Sequence, residues 1–344
     1  MKKIGILTGG GDCPGLNAAI RAVVRRAIST YNLEVIGIRE GWGGLIYGYV
    51  EPLTNYSVAG ILPRGGTILG TSRTNPFKSL EDHQRLLDNL KRFGIDALIA
   101  VGGEDTLGVA YKLHKEGVPL VGVPKTIDND LPGTDTTFGF DTAVNIAAEA
   151  IDRLHTTAES HHRVMVIEVM GRQTGWIATV AGVAGGADCI LIPEKPFKTS
   201  DVAELIKKRH RRGKTFSIVV VAEGVKPEDL ETVVTQDERK DEFGHARLGG
   251  IGTVIAKRLE QETGIETRVT TLGYVQRGGT PTAFDRVLAT RFGVKAVDMI
   301  MAGDFGKMAS LRGNKVLPVD LEEITVGIKK VDPDILAVAE VFFG

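Results

Sequence analysis

At least five hydrophobic, β-rich runs in this chain end in short clusters of glycine, carboxylate or arginine. They are KKIGILT into GGGDCPG, DALIAV into GGEDT, VPLVGV into PKTIDND, RVMVIEV into MGR, and SIVVVA into EG. Helical patterns separate the runs. Residues 17–30 read as a helix opened by the turn at Pro14 and Gly15, and residues 81–93 as one stopped by Gly94. Strand, helix, strand repetition implies a parallel sheet. Ligands of such sheets sit in the crevice outside the carboxyl ends of the strands, so polar groups gathered there describe a site. The layout is that of an enzyme.

Composition bounds the rest. A chain of 344 residues with 42% hydrophobic and 25% charged content buries one large core or two ordinary ones. Two domains of about 150 to 200 residues are the expectation. The 42 basic and 43 acidic residues leave a formal charge of −1, and no run of five like charges occurs. A nucleic-acid or membrane footprint is therefore absent, and phosphate chemistry must be local. Cys13 and Cys189 are far apart in sequence and read as packing residues in a reducing compartment. No signal-like opening and no apolar run near the roughly 18 residues of a membrane span is present, so the expectation is a soluble, cytoplasmic protein.

The turn-rich stretch LPGTDTTFGF after Asp130 is the candidate domain crossing, followed by a helix at about 142–160 and a buried strand at 163–169. A second α/β segment comprises helix 200–212, strand 217–222, helix 250–262, strand 267–272 and helix 283–302. The charged stretch 226–245 reads as a surface excursion.

The turn Gly9-Gly10-Gly11-Asp12-Cys13-Pro14-Gly15 lies between a strand and a helix, where backbone N–H groups and a helix N-terminus hold anions. It is not the dinucleotide fingerprint, because the third glycine falls on Pro14, nor a Walker loop, because Leu16 follows Gly15. Tight strand-to-helix packing is the plainer reading of the same glycines. In Gly102-Gly103-Glu104-Asp105-Thr106, two carboxylates beside two glycines look like Mg²⁺ ligation next to a phosphate. The alternative is that Asp105 or Thr106 caps a helix beginning near Leu107.

The densest polar cluster is Pro124-Lys125-Thr126-Ile127-Asp128-Asn129-Asp130, whose alternation puts Thr126, Asp128 and Asp130 on one side. A carboxylate there accepts a proton from an attacking hydroxyl while Lys125 neutralises phosphate charge. An Asx turn accounts for Asn129-Asp130 but not for Lys125 and Asp128. Arg73, Arg163, Arg172, Arg268 and Arg277 sit at strand or loop ends beside Gly and Thr, as bidentate phosphate recognition requires. Together these groups describe phosphoryl transfer to a phosphorylated substrate.

The ordered motifs GGGDCPGLNAAIR, GGTILGTSR, GGEDTLG, PKTIDND, EVMGR, AEG and LGYVQRGGTP span essentially the whole chain and resemble the 6-phosphofructokinase family. The resemblance implies an α/β fold of two similar Rossmann-like three-layer domains with mainly parallel sheets and the active site in the cleft between them. The expected partition is 1–138 plus about 251–305 for the phosphoryl donor and Mg²⁺, and 139–250 plus about 306–344 for fructose 6-phosphate. Asp128 becomes the base for the sugar hydroxyl, flanked by Thr126 and Asp130, and Glu104 takes a metal-linked position. Gly10, Gly11, Gly103, Asp105, Thr106 and Lys125 face the donor, and Arg73 approaches the transferring group. Met170, Gly171, Arg172, Glu223, Tyr274 and Arg277 hold the sugar phosphate, and Arg163 and Arg268 reach a neighbouring subunit's site. A homodimer or homotetramer with shared active sites is implied in turn.

At Asp105 the chain resembles pyrophosphate-dependent, short actinobacterial-type members, which carry Asp there and Lys at the position of Lys125. ATP-dependent members have Gly, leaving room for the nucleotide's α-phosphate, which a carboxylate would repel. Tyr274 stands where many bacterial relatives have His. Of the basic residues of the bacterial nucleotide effector site, Arg21, Arg25 and Lys214 match, but Asn55 and His155 replace Arg. Weak or missing regulation by ADP or phosphoenolpyruvate is expected. The competing readings are an ATP-dependent phosphofructokinase, differing only in donor, and a non-catalytic sugar-phosphate-binding subunit. Asp128 argues against the second, since a sensor needs no proton acceptor. A nicotinamide dehydrogenase is weaker still, failing at Pro14.

Overall fold

The computed structural model describes every residue except 231–234, 241, 242, 245 and 344. The first half of the chain supplies strands β1 (Lys3–Thr8), β2 (Glu34–Ile38), β3 (Val50–Leu53), β4 (Ala97–Gly102), β5 (Leu120–Thr126) and β6 (Phe138–Gly139). Between and after them run helices α1 (Leu16–Tyr31), α2 (Gly41–Tyr47), α3 (Leu80–Arg92), α4 (Glu104–Lys115) and α5 (Phe140–His161). The chain continues through β7 (Val164–Val169), α6 (Trp176–Ala184), β8 (Cys189–Leu191), α7 (Thr199–Arg211) and β9 (Ser217–Ala222). Strands β10 (Thr235–Lys240), β11 (Ala246–Leu248) and β12 (Thr267–Thr271) come after these, with α8 (Ile251–Thr263) preceding β12. Helix α9 (Ala283–Ala302), strands β13 (Lys307–Arg312) and β14 (Lys315–Asp320), and helix α10 (Pro333–Glu340) end the chain.

Among the described residues these strands form an eight-stranded sheet of order β14-β13-β5-β4-β1-β2-β3, with β6 beside β5, and a four-stranded sheet of order β12-β7-β9-β8. The smaller sheet is wholly parallel. In the larger one only the β2–β3 and β13–β14 pairs are antiparallel. The expected mostly parallel α/β architecture is thus present, with two sheets of unequal size.

Alternation along the strands explains their unbroken apolar sequence. Ile4 and Ile6 of β1 and Ile99 and Val101 of β4 face an inner core, while Leu7, Leu98 and Ala100 face an outer one formed with Trp42, Leu45, Leu86 and Leu107. Both sides of the sheet are covered, so both must be apolar. The inner core is continuous with that of the second sheet, including Val166, Ile167, Val219 and Val220. Helix α9 packs on α1 within it. At their crossing a Cβ on Gly293 would lie 2.7 Å from the carbonyl oxygen of Ala19, so only glycine lets the backbones approach this closely.

Two domain assignments need correction. Residues 307–320, expected with the second domain, extend the first sheet through pairing of Lys307 and Met308 with Val121 and Gly122 of β5. Residues 251–271, expected with the first, belong to the second sheet: β12 pairs with β7 and α8 packs on both. Local periodicity identifies strands and helices but not the sheet edge a strand joins. The polar stretch 226–245 falls partly outside the described residues; its described strand β10 pairs antiparallel with β11. It is not only surface, since Phe243 packs against the outer core of the first sheet and Gly244 borders the cleft between the two sheets.

Candidate active site

The carboxyl ends of β1, β4 and β5 meet those of β7 and β9 across a cleft of about 530 Å³. On the first-sheet side the GGGD turn is stitched to the 71–74 loop. The Gly10 amide donates to the Ser72 carbonyl at 3.1 Å, and the Thr71 hydroxyl to the Gly10 carbonyl at 2.6 Å. These bonds fix the loop that brings Arg73 to the cleft wall. They also differ from the expectation that Gly10 offers its N–H to an anion, because that donor is already engaged. Gly11 has a different reason to be glycine: a Cβ there would lie 2.6 Å from Nη1 of Arg277. Arg277 itself donates to the Asp12 carbonyl at 3.3 Å.

Lys125 is buried behind this turn. Its ammonium donates to the carbonyls of Gly9 at 2.9 Å and Gly11, so two of its three N–H groups organise the loop while the ammonium borders the cleft. Burial pushes it below the ordinary lysine range, Cys13 pulls it up, and Arg277 pushes it down. Glu104, Asp105 and Thr106 lie on the same wall. The alternative that Asp105 or Thr106 caps a helix does not hold, because α4 begins at Glu104 with Gly103 as N-cap and no side-chain cap bond. Glu104 and Asp105 instead occupy the first turn, where the helix dipole favours negative charge.

The floor is the turn after β5. Asp128 accepts from the Thr126 hydroxyl through Oδ2 at 3.2 Å, and its backbone N–H donates to that hydroxyl at 3.0 Å. Its Oδ1 is buried without a hydrogen-bond partner. An unpaired carboxylate oxygen is costly in a protein interior and therefore informative. Asn129 takes a left-handed conformation with φ 52°, which breaks the expected alternation: Asp130 is buried and absent from the cleft lining. Its side chain still feels the site. Burial first and the charge of Asp128 second raise Asp130 to about 7, against the opposing pull of Arg172.

The second sheet contributes Met170, Arg172, Gln173 and Glu223. Arg172 adopts φ 53°, an uncommon conformation for an L residue that clusters at functional sites. Burial disfavours its charge, but Asp128, Asp130, Asp105 and Glu104 together raise it above the ordinary arginine range. Its amide donates to Glu223 at 3.0 Å. Burial and then Asp128 raise Glu223 to about 7. Tyr274, 74% exposed, stands at the rim. Gln173, Gly244 and Leu248 border the cleft without having been singled out in the sequence. Adjacency to Arg172 was a usable signal for Gln173; nothing local marked the other two.

Gly171 lies beside the cleft rather than in its lining, in the turn that accepts the Thr174 amide. Arg163 and Arg268 do not border it either. Both bind Glu266, Arg163 at 2.8 Å. Among the described residues no group of three or more His, Cys, Asp or Glu gathers as a metal cage. Mg²⁺ commonly takes one or two carboxylates plus substrate phosphates, and Glu104 on the wall of the cleft fits that donor set.

The family model for phosphofructokinase matches residues 3–300. A pyrophosphate--fructose 6-phosphate 1-phosphotransferase of Streptomyces coelicolor is 58% identical over 343 residues, covering 99% of this chain and 100% of that one. ATP-dependent 6-phosphofructokinase 2 of the same organism is 53% identical over 344 residues, covering 99% and 100%. The crystal structure of Pichia pastoris phosphofructokinase in the T-state aligns with a TM-score of 0.83 at 35% identity, covering 99% of this chain and 36% of that chain. Since the family match runs from β1 into α9 and takes in both sheets and the walls of the cleft, the chain belongs to the phosphofructokinase family.

Proposed function

We propose that the chain transfers a phosphoryl group from pyrophosphate to O1 of fructose 6-phosphate, reversibly and with Mg²⁺, giving fructose 1,6-bisphosphate and phosphate. The observation that carries the reading is Asp128, whose Oδ2 is held by Thr126 while Oδ1 has no partner. That oxygen accepts the O1 proton as O1 attacks the transferring phosphorus and the bridging P–O bond breaks, with the other, terminal phosphate leaving. Catalysis is then mainly positioning and charge neutralisation. Arg73 and Lys125 face the transferring and terminal phosphates, and Arg172, Arg277, Met170, Glu223 and Tyr274 hold the sugar phosphate. Glu104 would hold Mg²⁺ together with the donor phosphates, and the ion would supply further charge neutralisation there.

Pyrophosphate is the favoured donor because Asp105 lines the cleft at the position where the resemblance to ATP-dependent members expects Gly and a nucleotide's α-phosphate, and the 58% identical relative carries the pyrophosphate name. The ATP reading rests on the 53% identical relative named for ATP and requires a nucleotide to tolerate Asp105. Arg163 and Arg268 stand outside their own cleft, paired with Glu266, and on the resemblance to the family we read them as serving a neighbouring subunit in a homodimer or homotetramer. A cytoplasmic location fits two buried free cysteines, and no described helix is long and apolar enough to cross a membrane. Turnover of fructose 6-phosphate by the purified chain with pyrophosphate, lowered by roughly 10²–10⁴-fold in Asp128→Asn, tests the reading.

A further inference from the structure

A short segment near the C-terminus crosses behind the cleft floor and touches both loops that carry its chemistry. The Lys329 amide donates to the Asp130 carbonyl at 2.8 Å. Its ammonium donates to Asn129 Oδ1 at 2.9 Å, 200 residues away in sequence, and to the carbonyls of Thr134 at 3.1 Å and Asp135 at 2.9 Å. The Lys329 carbonyl accepts from the Trp176 indole at 2.9 Å, and the ammonium lies 5.2 Å from the centroid of that ring. Two residues on, the Val331 amide donates to Glu194 at 3.1 Å. Glu194 also accepts from the Gly175 amide at 3.0 Å. Gly175 closes the loop that carries Arg172 and caps α6.

One segment therefore ties the Asp128–Asp130 turn of the first sheet to the Arg172 loop of the second. The tie matters most at Asn129. A left-handed conformation is uncommon for a residue other than glycine, and this one lies between the two aspartates. Its side-chain oxygen is engaged by Lys329 and, at 3.3 Å, by the Thr137 amide. We propose that Lys329 is a positioning residue for phosphoryl transfer: its ammonium locks Asn129 in the left-handed turn that sets the Asp128 carboxylate in the cleft. The proposal rests on the reading of Asp128 as proton acceptor. Three oxygen acceptors and an aromatic face form the cage around the ammonium, so an apolar replacement leaves the acceptors without their donor. Burial pushes Lys329 down to about 8, Asp130 and Asp135 pull it up, and Arg312 pushes it down, so it remains cationic at neutral pH.

The test compares steady-state kinetics of the full-length protein with fructose 6-phosphate, pyrophosphate and Mg²⁺. The variants are Lys329→Met, Lys329→Gln, Lys330→Met, Asp128→Asn and the Asp128→Asn/Lys329→Met double variant. Lys329→Met is expected to lower kcat by about tenfold or more, as a displaced catalytic group does, while KM for pyrophosphate stays near the wild-type value. Lys329→Gln keeps N–H donors without the charge and falls between; if the Met variant fails to fold, it carries the test. Lys330→Met, at an exposed position beside it, behaves as wild type. In the Asp128→Asn background the Lys329 change adds nothing. Wild-type kcat in both Lys329 variants with an inactive Asp128→Asn overturns the proposal alone, as does full additivity in the double variant. An active Asp128→Asn overturns the reading beneath it.

Discussion

The two walls of the cleft reach order by different means. On the first-sheet wall, which we propose faces the donor, the chain bonds to itself: the Gly10 amide to Ser72, Thr71 to the Gly10 carbonyl, Lys125 to Gly9 and Gly11. Its side chains, Arg73, Glu104, Asp105 and Lys125, stand on backbone that these bonds hold in place. The second-sheet wall, which we propose holds the sugar, carries its chemistry on groups in uncommon states, the Arg172 backbone with φ 53° and the Glu223 carboxyl raised to about 7. On the proposed reading, the donor wall selects by the space it leaves, and the sugar wall by a balance of charge that substrate completes.

Asp128 lies at the seam and should show the largest effect. Asp128→Asn keeps the size of the side chain and removes the proton acceptor, so kcat is expected to fall by roughly 10²–10⁴-fold with fructose 6-phosphate affinity largely retained. Equal loss of kcat and affinity would mean that Asp128 serves binding. Next comes the centre of the sugar wall. Arg172→Ala removes the cation that faces four carboxylates and is expected to reduce kcat/KM on the order of 10²-fold. A matched effect on pyrophosphate binding would blur the division between the walls.

A smaller effect concerns pH. Glu223 is raised to about 7, so it is largely neutral below that pH and gains charge above it. Added negative charge opposes a dianionic ligand, so fructose 6-phosphate affinity should weaken by roughly three- to tenfold from pH 6 to pH 8. Titration calorimetry on wild type and Glu223→Gln, which shares the substrate's own ionisation, should find a flatter profile in the variant. An unchanged profile would remove Glu223 from the charge balance. The smallest expected effect is allosteric: with Asn55 and His155 in place of arginine, and His155 bound to the Gly185 carbonyl at 2.8 Å, ADP and phosphoenolpyruvate should leave the rate at low substrate concentration nearly unchanged.

The strand ends were legible because their chemistry is local. A run such as DALIAV into GGEDT carries both a buried strand and the polar turn at its end within a dozen residues or so of one another. Long-range contacts escaped. Lys125 finds its partners in backbone carbonyls, which leave no mark in sequence. Lys329 meets Asn129 across 200 residues. The pairing of β13 with β5, which places residues 307–320 in the first sheet, has no local signature either. The helix start was misread for a local reason: Gly103, with no side chain to cap, opens α4 at Glu104 rather than near Leu107.

Asp105 is the residue on which the donor assignment turns, and the most direct measurement is formation of fructose 1,6-bisphosphate from fructose 6-phosphate and Mg²⁺. One preparation should be supplied with pyrophosphate or ATP in separate reactions, with Asp105→Gly alongside. The account predicts turnover with pyrophosphate, little with ATP, and loss of pyrophosphate activity in the variant. Turnover with ATP alone, or full pyrophosphate activity in Asp105→Gly, would contradict it.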